Sequence, residues 1–287
     1  MKMSEIKWFE LTFKQLTPMH IGKYNYGVIA QTHIFIPGYT MWGALVNSYG
    51  IRNGSSEEIF KETQDNFKMI TCFYPSFDKG NIYFLEYYKG MLYYKEHNSE
   101  NRYSEKEFRA KFTDTYISTA VIPDTKTAKD ESLHEIETIL NRSKDERDNS
   151  KQLYWKGLIG LLNDKYEKFL SEGLEIFVGG DIRYGFGKMI LESKKPISGD
   201  HLKEWQINND GILIKSDKPL TNYVESKNVK LKKGRFETIV HLDFAGAVPS
   251  LEKNEKNIYV CFVPGSKVEI TDDIKLRLNK GIFESGI

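Results

Sequence analysis

Long apolar runs are missing from this 287-residue sequence. No run approaches the length that crosses a membrane, and the start MKMSEIKWFE carries charges where a signal peptide has an apolar core. We therefore expect an intracellular, cytoplasmic protein that does not bind membranes.

Cysteine is also scarce. Cys72 and Cys261 lie far apart, within the apolar runs ITCFYP and YVCFVP. This pattern predicts reduced, buried thiols and excludes the usual zinc spacings. No Walker loop, paired-carboxylate site or Ser-His-Asp arrangement is present. We therefore predict no cofactor, no metal site and no polymerase or nuclease centre.

Net charge is nearly absent, because 41 Lys and Arg residues face 40 Asp and Glu residues, which leaves +1. A nucleic-acid surface would therefore have to be a local patch. Aromatic residues, in contrast, are plentiful at 13% and supply both core and stacking material. The length suits one large or two small domains.

Residues 177–191, FVGGDIRYGFGKMIL, carry the strongest chemical pattern. Two apolar runs flank a loop in which Arg183 and Lys188 can bind phosphate oxygens and Tyr184 can stack on a base. Glycines admit positive φ and the close approach of another backbone. The loop glycines are Gly179, Gly180, Gly185 and Gly187. The pattern predicts a loop that holds a sugar-phosphate backbone; the alternative is a hairpin whose charges are only solvated.

Secondary structure follows from periodicity. Residues 6–17 alternate as a half-buried strand does, and residues 39–49 and 154–170 repeat their apolar side chains at helical spacing. The aromatic runs 81–88 and 91–95, joined by a Lys-Gly pair, predict a hairpin.

Two further strands, at 174–178 and 189–191, flank the glycine loop. The order is β-α-β-β-α-β with insertions, as in ferredoxin-like and RNA-recognition-motif domains. We therefore predict an α+β protein with a ferredoxin-like domain over residues 1–195. A smaller, degenerate, mostly β second domain would occupy residues 196–287.

Several stretches, in this order, resemble the RAMP superfamily of CRISPR effector subunits. In that family a Pro/His/Gly motif follows the first strand, a Pro-Gly turn opens the first helix, and a glycine-rich loop closes the ferredoxin-like domain. The matching stretches are LTPMHIG at 16–22, IPGYTMWGAL at 36–45, DTKTAKDESLHEIE at 124–137 and GGDIRYGFGK at 179–188. Those that resemble the second domain of two-domain type III subunits are KSDKPL at 215–220, VPGSKVEI at 263–270 and GIFESG at 281–286.

The resemblance implies a non-catalytic RNA-binding subunit of a type III effector ribonucleoprotein in antiviral defence. Such a subunit holds the 5′ handle of the CRISPR guide RNA. Its implied partners are that RNA, the backbone RAMP subunits and the large polymerase/nuclease subunit. Besides the glycine loop, the implied RNA-binding residues are His20, Lys23, Tyr39, Trp42, Lys126 and Lys129.

Other functions stay open at this point. His20 stands near Lys23, Tyr24 and Tyr26, and a metal-independent ribonuclease needs such a histidine base. A guide-processing endoribonuclease using His20 is therefore one alternative, although in those enzymes the glycine-rich loop lies close to the C-terminus. A backbone RAMP subunit is another, but residues 20–27 lack the Asp that target-cutting subunits carry there. A purely structural assembly subunit is a third.

Overall fold

The computed structural model describes residues 5–146, 149–227, 229–240, 258–270 and 274–285. The strands in these ranges are β1 (Lys7–Gln15), β2 (Gly22–Tyr26), β3 (Ile29–Thr32), β4 (Tyr74–Phe77), β5 (Tyr83–Tyr88), β6 (Met91–Glu96), β7 (Arg102–Ser104), β8 (Thr113–Ser118), β9 (His134–Ile139), β10 (Leu153–Leu161), β11 (Glu175–Phe177), β12 (Lys188–Pro196), β13 (Tyr223–Glu225), β14 (Val229–Lys233), β15 (Phe236–Val240), β16 (Ile258–Phe262), β17 (Lys267–Ile270), β18 (Leu276–Asn279) and β19 (Ile282–Ser285). The α-helices are α1 (Gly38–Arg52), α2 (Glu57–Phe67), α3 (Glu105–Phe112), α4 (Asp164–Phe169) and α5 (Gly199–Glu204).

The central sheet has the strand order β11-β12-β1-β10-β4, and all its pairs are antiparallel. Without the edge strand β11, the chain order is β1-α1-β4-β10-α4-β12. This β-α-β-β-α-β succession is consistent with a ferredoxin-like unit. The protein is therefore α+β, as predicted.

The prediction of a long helix over residues 154–170 is wrong. Residues 153–161 form the interior strand β10, and only Asp164–Phe169 is helical. Strand β10 is buried along nearly its whole length, so its apolar residues do not alternate with polar ones. Gly157 lies within this strand because a Cβ there would be 2.5 Å from the ring of Phe73, which leaves no room for a side chain.

The predicted aromatic hairpin is present as β5 and β6, with Tyr87 opposite Leu92. It belongs to a separate three-stranded sheet, β5-β6-β7, and the second and third strands of the ferredoxin-like unit, in chain order, are instead β4 and β10. Another sheet, with the strand order β2-β3-β9-β8, begins after the loop that follows β1.

The helices α1, α2 and α4 pack together through aromatic rings. The ring centroid of Tyr49 lies 4.9 Å from those of Tyr166 and Phe169, and Phe67 lies 5.2 Å from Tyr166. Aromatic rings bury large apolar areas, so this cluster is a main part of the core.

The remaining strands form a sheet of order β15-β16-β13-β19-β18 and a pair β14-β17. Of the second domain predicted over residues 196–287, residues 228, 241–257, 271–273 and 286–287 lie outside the described residues. The buried side chains of this half belong to the same hydrophobic cluster as those of the central sheet. The two halves therefore share one core.

Both cysteines are free and buried, which confirms the prediction of reduced thiols. Burial raises the pKa of the Cys72 thiol to about 12. None of the helices in the described ranges is long and apolar enough to cross a membrane.

Candidate nucleic-acid interface

The glycine loop connects β11 to β12 and contains one 3-10 turn, Ile182–Tyr184. It is fastened to the loop that follows β1: the Gly180 N–H donates to the carbonyl of His20 at 2.9 Å, and the Gly187 N–H donates to that of Pro18 at 2.8 Å. Gly179 has a φ of +89°, and a Cβ there would lie 2.1 Å from the His20 carbonyl oxygen. The close approach that this glycine permits is therefore to the protein's own backbone.

The two cations of the loop differ in their surroundings. Arg183 is exposed and forms no ion pair with any residue in the described part of the chain. Lys188 is half-buried, and its Nζ lies 2.9 Å from a carboxylate oxygen of Glu175. Of these two cations, Arg183 is therefore the one whose charge is available to a ligand. Tyr184 beside it is 74% exposed, so its ring is open to stacking.

A groove of about 350 Å³ runs beside the loop. Its floor comes from α1, whose Thr40, Gly43 and Asn47 lie three and four residues apart and so share one face. Its walls are residues 21–22 on one side and Phe177, Gly179, Gly180 and Ile182 on the other. The groove therefore combines small side chains, exposed backbone and two polar groups.

Tyr39 and Trp42 do not line this groove. The Tyr39 ring lies 6.1 Å from that of Tyr223 in the second half, and burial raises its pKa. The Trp42 indole N–H donates to the Gln64 carbonyl at 3.0 Å, and Lys280 Nζ lies 3.9 Å from its ring centroid. Both residues stabilise the packing of α1 instead.

His20 is only 7% exposed, and its Nδ1 lies 2.7 Å from the carbonyl oxygen of Glu137. Since a carbonyl only accepts, Nδ1 carries a proton and donates in this contact. This contact joins the loop after β1 to β9, and the His20 carbonyl supports the glycine loop. The position of His20 is that of a structural residue beneath the groove.

Lys23 does not line the groove. It lines a second pocket, of about 640 Å³, between the β2–β3 hairpin and the aromatic sheet. Burial is the main cause that lowers the pKa of its amine; the charges of Arg109 and Arg235 lower it further, and those of Glu105 and Glu237 raise it.

Lys126 and Lys129 lie in the connection between β8 and β9 and are exposed. Their backbone is ordered by local hydrogen bonds, such as that from the Lys129 N–H to the Ala120 carbonyl at 2.8 Å. Neither lines the groove. Of the predicted residues, the structure thus gathers Gly179 and Gly180 at the groove, with Arg183 and Tyr184 on the same loop.

A family model described as "RAMPs: RAMP superfamily" matches residues 12–190, which include most of the central sheet, the groove and the glycine loop. The chain belongs to the RAMP superfamily. No curated protein sequence gives a significant match.

Two solved structures similar to this RAMP protein are subunits of the type III-B Cmr-beta complex. One complex is bound to cognate target RNA and AMPPnP; its matching chain has a TM-score of 0.61 and 13% identity, with 90% of this chain and 85% of that chain covered. The other is bound to cognate target RNA; its chain has a TM-score of 0.60 and 12% identity, with 96% and 99% covered. At such low identity the likeness shows a shared fold.

Sequence reasoning missed Thr40 and Asn47 as groove residues. Their spacing with Gly43 would have placed them on one helix face, away from Trp42. It also missed the second pocket, because no local pattern joins residues from three distant parts of a RAMP chain.

Proposed function

We propose that this RAMP protein is a non-catalytic RNA-binding subunit of a type III CRISPR effector ribonucleoprotein. In this role it holds the 5′ handle of the guide RNA and contacts the backbone RAMP subunits and the large polymerase/nuclease subunit. The observation that carries the proposal is the groove lined by Ile182, because the next two residues of the same loop, Arg183 and Tyr184, are exposed. Family membership, and a fold shared with chains of RNA-bound Cmr-beta complexes, support it.

Each part of the site suits a single-stranded RNA. The Arg183 guanidinium can donate two parallel hydrogen bonds to one phosphate. The Tyr184 ring can stack on a base, and stacking tolerates any base. Thr40 and Asn47 offer a hydroxyl and an amide to the 2′-hydroxyl groups that distinguish RNA from DNA.

The geometry argues against cleavage by His20. A general base must come within hydrogen-bond reach of the hydroxyl that it deprotonates. His20 is buried and uses Nδ1 to bind the Glu137 carbonyl, while Lys23 lines a different pocket. The Lys23 amine, which would have to stabilise charge near His20, therefore lies at a different site from the histidine.

The test is guide-RNA binding by Arg183→Ala, measured by fluorescence anisotropy over a series of salt concentrations. We expect the affinity to fall about 5- to 10-fold, because one phosphate contact is lost. The slope of log K against log salt should become shallower by about 0.7. Adding Lys188→Ala should have a smaller effect, because Glu175 already pairs with Lys188.

Arg277→Ala is the matched control, since Arg277 is an exposed arginine on β18 away from the groove. It should bind RNA as the unmodified protein does. Equal affinities and equal salt slopes for the Arg183 and Arg277 variants would contradict the proposal.

A further inference from the structure

The 640 Å³ pocket that contains Lys23 is separate from the groove and is built by several parts of the fold. The β2–β3 hairpin contributes Lys23 and Tyr24, and the sheet β5-β6-β7 contributes Tyr93. Helix α3 contributes Glu105 and Arg109, and Phe236 of β15 lines the pocket together with the preceding residue, Arg235. Its volume lies within the range of about 300–1,000 Å³ that is usual for small-ligand sites. The pocket is therefore large enough for one nucleotide.

Aromatic rings stand open at this pocket. Phe236 is 67% exposed and Tyr24 is 43% exposed, although both belong to strands. The floor is apolar, with Phe35 and Leu85 buried. His33 is also on the floor, where burial lowers its pKa to about 3, so it is uncharged at neutral pH. An apolar floor with exposed rings at the rim suits the flat face of a base.

Cations exceed anions in the lining. Four cationic side chains, Lys23, Lys106, Arg109 and Arg235, face two carboxylates, Glu105 and Glu237. Arg109 is already held by Glu105 at 2.9 Å and by Glu137 at 2.7 Å. In contrast, neither Lys23 nor Arg235 has an ion pair with any residue of the described ranges.

The surroundings of Lys23 destabilise its charge. Burial is the main cause that lowers the pKa of this amine, and the charges of Arg109 and Arg235 act in the same direction, whereas those of Glu105 and Glu237 oppose it. A bound anion would have the opposite effect, because an opposite charge nearby favours the protonated amine. The Lys23 and Arg235 side chains thus form the part of the pocket that is suited to a phosphate.

We propose that this pocket binds one extruded nucleotide of the RNA, with its base against Tyr24 and Phe236 and its phosphate on Lys23 and Arg235. The inference rests on the proposed RNA-binding function and assigns a second contact to it. Glu237 lines the pocket and accepts a hydrogen bond from the Tyr223 hydroxyl at 3.3 Å. Its remaining acceptor sites can bind an exocyclic amino group, so a base that carries one is preferred over uracil.

The experiment uses the full-length protein and guide RNAs that carry a single 2-aminopurine at successive positions. Fluorescence of this base is followed during titration and at saturation. We expect one position, or two adjacent ones, to change in intensity on binding. Phe236→Ala should abolish that change and weaken binding about 5-fold or more, because a stacked base loses its ring. Lys23→Gln should weaken binding and make the salt slope shallower by about 0.7.

Two variants make the outcomes distinguishable. Ile117→Ala, at a 60% exposed residue of β8 outside the pocket, should leave both affinity and fluorescence unchanged. Arg183→Ala should weaken binding but keep the fluorescence change at saturation. Circular dichroism would verify that the Phe236 and Lys23 variants are folded.

Normal RNA binding with no fluorescence change that depends on Phe236 would overturn the pocket proposal and leave the RNA-binding function intact. If the unmodified protein bound no RNA, both proposals would fail. Binding of a poly-glutamate peptide that requires Lys23 and Phe236, with no effect of either variant on RNA, would instead assign the pocket to an acidic protein partner.

Discussion

At the scale of single residues, the glycines of the loop between β11 and β12 have different structural roles. Gly179 and Gly187 have positive φ and lie so close to backbone carbonyls that a Cβ would be 2.1 and 2.0 Å from an oxygen. Gly185 also has a positive φ, of +86°, but nothing lies within 4 Å of where its Cβ would be. The first two hold the loop in place, whereas Gly185 only ends the 3-10 turn.

This difference predicts unequal costs of substitution. Gly179→Ala should lower the free energy of unfolding by about 2–4 kcal/mol, because left-handed strain and a backbone clash add together. Gly185→Ala should cost about 1–2 kcal/mol, since only the strain applies. Urea denaturation of both variants measures the difference. Equal losses of stability would show that contact with His20 is unimportant.

The chemistry of a side chain also depends on what surrounds it. Arg183 and Lys188 are equivalent in the sequence pattern, but only Lys188 has a carboxylate, that of Glu175, at 2.9 Å. His20 and Lys23 are three residues apart and yet belong to two different sites. Residue type and spacing single out these segments as candidate sites, but they do not show which side chains share one site or have a carboxylate partner.

At the scale of elements, α5 is held to the central sheet by charged groups. His201 Nε2 lies 3.1 Å from Glu10 on β1, and its Nδ1 lies 3.3 Å from Glu204. The hydrogen bond to Glu10 is the main cause that raises the pKa of His201, and the charges of Glu10 and Glu204 add to it. Burial and the charge of Lys156 act against them.

The raised pKa gives a pH-dependent stability. A histidine with a folded-state pKa above its unfolded value of about 6.5 stabilises the fold fully below that pH. The stabilisation is lost as the pH rises through the folded-state pKa. The difference in unfolding free energy between the unmodified protein and His201→Gln should therefore be larger at about pH 6 than at about pH 9. It should stay below about 1 kcal/mol, because the pair is partly exposed to solvent.

His134→Gln is the control for this experiment, since His134 contacts the hydroxyl of Ser118 at 2.7 Å and has no carboxylate partner in the described ranges. It tests whether the loss of another histidine, without a carboxylate partner, reproduces the pH dependence. A His201 effect that is equal at both pH values, or greater at the higher one, would contradict the role of the Glu10 pair.

At the scale of the whole molecule, the two halves are joined through buried contacts. The Cys72 N–H donates to Asn222 Oδ1 at 2.7 Å, and the Tyr74 hydroxyl donates to the Thr221 carbonyl at 2.6 Å. Gly38, at the start of α1, lies against Gly281, and a Cβ on Gly38 would be 2.4 Å from the Gly281 Cα. We therefore expect the halves to unfold together.

Asn222→Ala tests this coupling. The substitution leaves the buried Cys72 N–H without an acceptor, which should cost about 1–3 kcal/mol. Tryptophan fluorescence and far-UV circular dichroism should follow one coincident transition that shifts as a whole. Asn101→Ala, at an exposed residue, should change stability by about 0.5 kcal/mol or less. Two separate transitions, with only one displaced, would mean that the halves are independent.

Local patterns by themselves determined a large part of this protein. They predicted α1, the aromatic hairpin, the buried thiols and the glycine loop, because each depends on residues that are close together along the chain. The resemblance to the RAMP superfamily also rests on such local patterns, and a model of that family matches residues 12–190.

Only the tertiary structure decided the rest. Strand β10 was mistaken for a helix because burial on both faces removes the alternation that marks a strand. The lining of the groove depends on which face α1 turns to the glycine loop. The second pocket joins Lys23, Tyr93 and Arg235, which are far apart in the sequence and meet only when three sheets pack together. Contacts of this kind arise from packing over long sequence distances, so no local pattern contains them.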